Sequence, residues 1–126
     1  MKQGKSVVIV GGGMSGLLLA KLLSDAQFNV VVVEKKQPSL DVGNGMLPGR
    51  VSALNANIVA YLKKIGVWEK CSNMRVSPLY QMQVWDDCGG GEINFDSATI
   101  AESHLAYVVE NGELVRVLWR QLLDSP

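Results

Sequence analysis

An α/β fold that opens with a strand–helix–strand unit is predicted by three observations. Residues 7–10 (VVIV) form a short β-branched run that ends on three glycines. A mostly apolar stretch of helical length comes next, and a second β-branched run at 30–33 (VVVV) ends on Glu34. Strand patterns separated by a helical pattern imply a right-handed crossover and a parallel pairing. Between the first run and the helix lies Gly11-x-Gly13-x-x-Gly16, so the expected unit is Rossmann-like.

Each glycine of that spacing has a physical task. Gly11 lets the chain turn sharply out of the strand, and Gly13 removes a Cβ where a pyrophosphate must approach the backbone. Gly16 lets the new helix pack closely on the sheet. The helix then presents free N–H groups and its positive dipole end to phosphate. Glu34 closes the second strand about 20 residues on, where a carboxylate can accept hydrogen bonds from a ribose hydroxyl. The motif implies a dinucleotide and leaves its identity open.

Bulk properties narrow the class. A chain of 126 residues supports at most one domain and buries about two thirds of its unfolded surface. Twelve basic residues balance twelve acidic ones and are scattered, so nothing in the charge points to nucleic acid or an anionic membrane surface as a partner. Cys71 and Cys88 form no C-x-x-C pair and are expected to be free thiols in a reducing, cytoplasmic setting. His104 has no evident catalytic partner in the sequence. Lys2 and Lys5 before an uncharged stretch superficially resemble a secretory signal, but three central glycines would break its apolar helix. No stretch reaches the ~18 apolar residues of a membrane span.

Further along, residues 35–49 form a glycine- and proline-containing connection of a length that is often functional. Apolar residues at 51, 54, 58, 61, 62 and 65 predict a helix over 50–65, with Ser52 as its cap and Gly66 as its stop. Arg50 then sits at the mouth of a helix, either as a solvated side chain or as a bidentate phosphate clamp. Val67 and Trp68 are expected to tuck against the sheet. Residues 79–85 and 92–96 read as strands joined by Asp86–Gly91, so this second glycine triplet makes a hairpin turn and no phosphate loop. Met74, Met82 and Trp85 are expected in packing roles. A strand at 105–109 leads to a helix at 113–123, with Asn111 as its N-cap and Glu113 facing the dipole. Its apolar face carries Leu114, Val117, Leu118, Gln121 and Leu122, broadened by Val115 and Trp119. Its N-terminus is either a plain capped end or a second dipole turned toward a cofactor.

The stretches IVGGGMSG, VVVEK, RVSALNA, GVWE, YVVEN and VLWRQL, in this order, resemble the FAD-dependent 2-polyprenylphenol hydroxylases of ubiquinone biosynthesis. These belong to the wider group of p-hydroxybenzoate hydroxylase-like flavoprotein monooxygenases. The resemblance runs over nearly the whole chain; residues 50–54 and 109–111 are its more specific parts. It implies a Rossmann-like FAD-binding fold, with the N-terminal βαβ unit joined by an added helix and a β-hairpin. Residues 1–126 would be the N-terminal portion of that domain, with the rest of it and the substrate domain absent from this chain. Gly11, Gly13, Met14, Ser15 and Gly16 would surround the FAD pyrophosphate, Glu34 would hold the adenosine ribose, and Lys35 would lie beside the adenine. Arg50 would reach the flavin nucleotide's phosphate or ribityl region. Asn111 stands where relatives often carry an arginine near the cofactor, so its contact departs from the pattern.

The activity so implied is hydroxylation of a polyprenylated phenol through a flavin C4a-hydroperoxide, with NAD(P)H as electron donor and possible peripheral contact with the inner face of a membrane. The chemistry is the flavin's, and no acid, base or nucleophile is assigned to this chain. The later Asp-Gly and Gly-Asp segments would lie beyond Pro126, and the chain alone is expected not to turn over. Two other readings stay open: an NAD-binding dehydrogenase fragment, which Glu34 suits, and a nucleotide-binding module without catalysis.

Overall fold

The computed structural model describes residues 5–40, 49–71 and 75–124. In chain order the elements are β1 (Ser6–Val10), α1 (Met14–Asp25), β2 (Asn29–Val33), β3 (Val51–Leu54), α2 (Ala56–Lys64), β4 (Val76–Leu79), β5 (Gln81–Trp85), β6 (Glu92–Asp96), β7 (Ala106–Glu110) and α3 (Asn111–Leu123). They divide into two compact units, one of residues 1–50 and 111–126, the other of residues 51–110.

The first unit contains the predicted crossover. β1 and β2 pair in parallel, Ser6 opposite Asn29 through Val10 opposite Val33. α1 packs on these strands and against α3. Leu17 and Ala20 of α1 are buried with Ile9 of β1, while α3 buries Leu114, Val117 and Leu118. The alternate residues Val8, Val10, Val31 and Val33 remain exposed. The strand period of two explains this, since it sends every second side chain to the face away from α1. The parallel sheet holds two strands among the described residues, and β7 pairs elsewhere.

α3 starts directly at Asn111, so this residue is the first of the helix and not its N-cap. Its backbone N–H donates to the Arg50 carbonyl at 2.9 Å. Glu113 does lie in the first turn, but it is fully buried and ion-paired. Arg116 Nε donates to Glu113 Oε2 at 2.9 Å, and Nη2 to Oε1 at 2.7 Å. The fork geometry answers both carboxylate oxygens, which is what makes a buried pair tolerable; removing one partner alone would cost about 3–5 kcal/mol.

The second unit is antiparallel. β7 lies between β3 and β4, with Val51 opposite Glu110 and Val76 opposite Val109. This corrects the helix predicted over 50–65: residues 51–54 are a strand, drawn into extended form by backbone bonding to β7. The helix begins at Ala56, and its cap is Asn55, whose Oδ1 accepts from the Ile58 N–H at 3.0 Å, not Ser52. Gly66 does end the helix, at φ +67°. β4 has no counterpart among the strands expected from the sequence. It carries Pro78 at the sheet edge, the one kind of sheet position where a missing N–H breaks no ladder.

Val67 is fully buried, and Trp68 meets Tyr107 of β7 edge-on at 5.1 Å between centroids. β5 and β6 form the expected hairpin, closed by Asp86 N–H donating to the Gly91 carbonyl at 2.8 Å. Met82 and Trp85, expected in packing roles, are both exposed, at 43% and 68%. A two-stranded ribbon has no second layer of its own to bury them. Met74 lies outside the described residues, as do Gly43, Gly45 and Pro48 of the connection after Glu34.

Candidate functional site

The predicted glycine loop is in place, and its conformation explains its composition. Gly11 has φ +110°, a backbone state that L side chains rarely adopt, and its N–H donates to the Val33 carbonyl at 2.8 Å. The turn out of β1 is thereby tied to the end of β2. Gly16 sits where a Cβ would come within 2.0 Å of the Gly11 carbonyl oxygen, so any side chain there would push the helix off the turn. Gly13 is the N-cap of α1 in extended conformation, with φ −78° and ψ −177°. Among the described residues nothing lies within 4 Å of the position its Cβ would take.

α1 is therefore left as an anion-ready helix end. No side chain caps it, and no acid occupies its first turn. The Gly13 carbonyl accepts from the Leu17 N–H at 2.9 Å, which starts the helical ladder and leaves the preceding amides without an intrahelical partner. Those amides belong to Met14, Ser15 and Gly16, the residues expected around the pyrophosphate. Met14 is half-buried and Ser15 exposed. Phosphate oxygens suit such an end, since the amides donate and the helix dipole favours negative charge.

Glu34 lies exposed beside the loop, immediately after β2. Its Oε2 accepts from the Gly12 N–H at 2.6 Å, and its Oε1 from the Lys36 N–H at 3.3 Å. The Gly12 amide first, then the Lys36 amide, hold its carboxyl below the usual carboxylate range. Lys35 is exposed. Arg50 is exposed too, but it precedes strand β3 and so does not stand at the helix mouth expected from the sequence. Instead the Arg50 carbonyl meets the first residue of α3, which joins the two segments of most specific sequence, 50–54 and 109–111, by a backbone bond. The Asn111 side-chain oxygen is buried and has no hydrogen-bond partner among the described residues.

Two features escape the sequence pattern. Gly12, the variable position of the motif, is crowded: its Cβ would lie 2.9 Å from Trp119 Cζ3 and 3.0 Å from Glu34 Cβ and Cγ. The only signal for this is that a glycine stands where the spacing tolerates any residue. His104, without a partner in the sequence, packs its ring on Tyr107 at 4.3 Å, with the Ser103 hydroxyl 2.7 Å from Nδ1. Neither cysteine is in a disulfide among the described residues, Cys71 being buried with its Sγ 3.6 Å from the Val67 carbonyl and Cys88 exposed. No helix among the described residues is long and apolar enough to cross a membrane.

Comparison with known proteins agrees with this geometry. A family model described as "FAD binding domain" matches residues 5–119. The chain is 36% identical over 124 residues to 3-demethoxyubiquinol 3-hydroxylase of Escherichia coli (strain K12), which covers 98% of this chain and 32% of that protein. It is 33% identical over 124 residues to the mitochondrial ubiquinone biosynthesis monooxygenase COQ6 of Danio rerio, covering 92% of this chain and 25% of the relative. Among solved structures, p-nitrophenol 4-monooxygenase PnpA from Pseudomonas putida DLL-E4 superposes with a TM-score of 0.68 at 25% identity, over 100% of this chain and 31% of that one. The chain thus spans about a third or less of the length of these proteins.

Proposed function

The chain belongs to the FAD-binding domain family, and we propose that it forms the ADP-gripping portion of a flavin-dependent aromatic hydroxylase acting on a polyprenylated phenol in ubiquinone biosynthesis. In that reading residues 1–126 are one portion of a longer FAD-binding domain, and the substrate domain belongs to sequence outside this chain. The observation that carries the cofactor assignment is the open space at Gly13, set against the uncapped N-terminus of α1.

The residues present fit FAD. Gly11, Gly13, Met14, Ser15 and Gly16 would hold the pyrophosphate through backbone amides, where a negative charge meets a helix dipole. Glu34 would accept hydrogen bonds from the adenosine ribose with Lys35 beside the adenine, its carboxyl kept ionised by the Gly12 amide. The buried, unpartnered Asn111 oxygen is an acceptor that a ligand hydroxyl would satisfy, and an unmade hydrogen bond of that kind costs about 1–3 kcal/mol. Arg50, joined to Asn111 through its carbonyl, would bring a guanidinium toward the flavin nucleotide's phosphate or ribityl region. Bound FAD supplies two-electron redox and oxygen chemistry, and the protein's part is to bind, orient and exclude water.

The named activities of the two relatives, a 3-demethoxyubiquinol 3-hydroxylase and a ubiquinone biosynthesis monooxygenase, support the substrate class. NAD(P)H as electron donor and peripheral membrane contact of the whole protein complete the reading. Titrating the purified chain with FAD and with NAD tests it. Quenched flavin fluorescence, with yellow chromophore released on heating, is expected; a colourless chain that binds NAD in preference to FAD would overturn it. The 126-residue chain is expected to bind FAD without hydroxylating phenols, and measurable turnover by it would contradict the assignment of the substrate cavity to other sequence.

A further inference from the structure

Gly12 is crowded by two residues, Glu34 and Trp119, and only Glu34 belongs to the fingerprint. Its N–H donates to Glu34 Oε2 at 2.6 Å, while the Trp119 ring edge stands 2.9 Å from where a Cβ would be. Trp119 comes from α3, far away in sequence, and α3 is anchored on α1 by packing. The Arg116 guanidinium, one turn earlier on α3, is fixed by its buried pair with Glu113. On the next residue, Arg120 donates to the Leu40 carbonyl. The indole therefore projects from a helix with little freedom to shift.

A second observation marks the position as more than filler. The Trp119 indole N–H is buried and has no hydrogen-bond partner among the described residues. Buried tryptophan normally finds a partner for that group, and leaving it unmade is unfavourable. A leucine would fill space there without the orphaned donor. What the aromatic ring provides is a flat edge beside the position that a Gly12 Cβ would take.

We propose that Trp119 is a positioning residue for the phosphate loop: its ring edge closes the space beside Gly12 and Glu34 and so limits the loop to its cofactor-ready form before any ligand arrives. The Gly12 amide, tied to Glu34, is thereby withheld from the ligand, and the amides of the α1 N-terminus are the ones left to donate. A loop set in advance loses less freedom on binding. This role rests on the FAD reading only for the identity of the ligand. The arrangement of Gly12, Glu34 and Trp119 stands in the ligand-free chain.

Nuclear magnetic resonance on the ¹⁵N-labelled full chain without cofactor separates the two questions. The Gly12 amide proton is expected downfield, as a donor to a carboxylate, and Glu34→Gln should move it upfield and confirm its assignment. Trp119→Leu should move it most of the way toward the Glu34→Gln position, while Trp119→Phe, which keeps a ring edge, should leave it nearly in place. Trp119→Leu should also weaken FAD binding about tenfold, and Trp119→Phe by less than about threefold. A folded Trp119→Leu chain with an unmoved Gly12 amide would overturn the proposal, whatever its thermal midpoint. Should Trp119→Leu not fold, Gly12→Ala approaches the same contact from the other side. It should shift the Trp119 indole N–H resonance and spare those of Trp68 and Trp85, and an unmoved Trp119 resonance would refute the contact. If the chain binds no FAD at all, the functional assignment falls, and the amide measurement still decides the role of Trp119.

Discussion

The chain contains two runs of three glycines, 11–13 and 89–91, and they do opposite work. The first leaves a strand and enters a helix, so it delivers the chain to the uncapped end of α1 and the amides of residues 14–16. The second leaves a strand and returns antiparallel, with Gly90 at φ +65° and Asp86 Oδ1 accepting from the Cys88 N–H at 3.1 Å across the turn. Identical composition gives a candidate anion site in one place and a bend in the other. The difference lies in the next segment of chain: an apolar stretch of helical length after Gly13, a short alternating strand after Gly91. A glycine run thus becomes a phosphate loop only through the helix that it starts.

Substitutions in the two runs can break this contrast. Gly16→Ala should have the largest effect, about 3 kcal/mol or more of stability, because its Cβ would meet the Gly11 carbonyl at 2.0 Å. Urea unfolding measures it, and a loss below about 1 kcal/mol would mean the helix can slide away from the turn. Gly11→Ala should cost about 1–3 kcal/mol, and Gly90→Ala about 1–2 kcal/mol, since each forces a side chain to positive φ. The first should also reduce FAD affinity and the second should not, which fluorescence titration can check.

Acid should loosen the first loop. Glu34 has a folded-state pKa below its ordinary value, so its contribution is full above the unfolded pKa and is lost as pH falls through the folded one. Glu34→Gln should therefore flatten the acid side of the stability profile, measured as thermal midpoint against pH. An unchanged acid slope would mean that the bond to Gly12 is not kept in solution.

Much of the fold is legible in the sequence because it is local. The β1–α1–β2 unit, the hairpin and the apolar face of α3 all come from periodicity and turn chemistry within a few residues of each other. Residues 51–54 mislead because apolar spacing at 51, 54 and 58 fits a helix, and only pairing with β7, distant in sequence, makes them a strand. Asn111 reads as an N-cap by residue type, yet the strand runs straight into the helix and the side chain caps nothing. The Glu113–Arg116 pair shows the same limit: charges at helical spacing look solvated until α3 is packed over them. In the candidate site, the glycines and Glu34 are legible from their spacing. The part of Trp119 is not, since it depends on where α3 docks.

Gly13 is the pivot of the cofactor assignment, because its side of the loop is open and its backbone is ordinary. FAD titration of the wild-type chain, Gly13→Ala and the hairpin control Gly91→Ala, each with its thermal midpoint, tests it most directly. Gly91→Ala should leave stability within about 0.5 kcal/mol of wild type and Gly13→Ala, at a helix N-cap, should cost about 1 kcal/mol, since neither meets a neighbour within 4 Å among the described residues. Only Gly13→Ala should weaken FAD binding, about tenfold or more, because its Cβ would stand where the pyrophosphate approaches. Equal FAD affinity in all three chains would contradict the assignment.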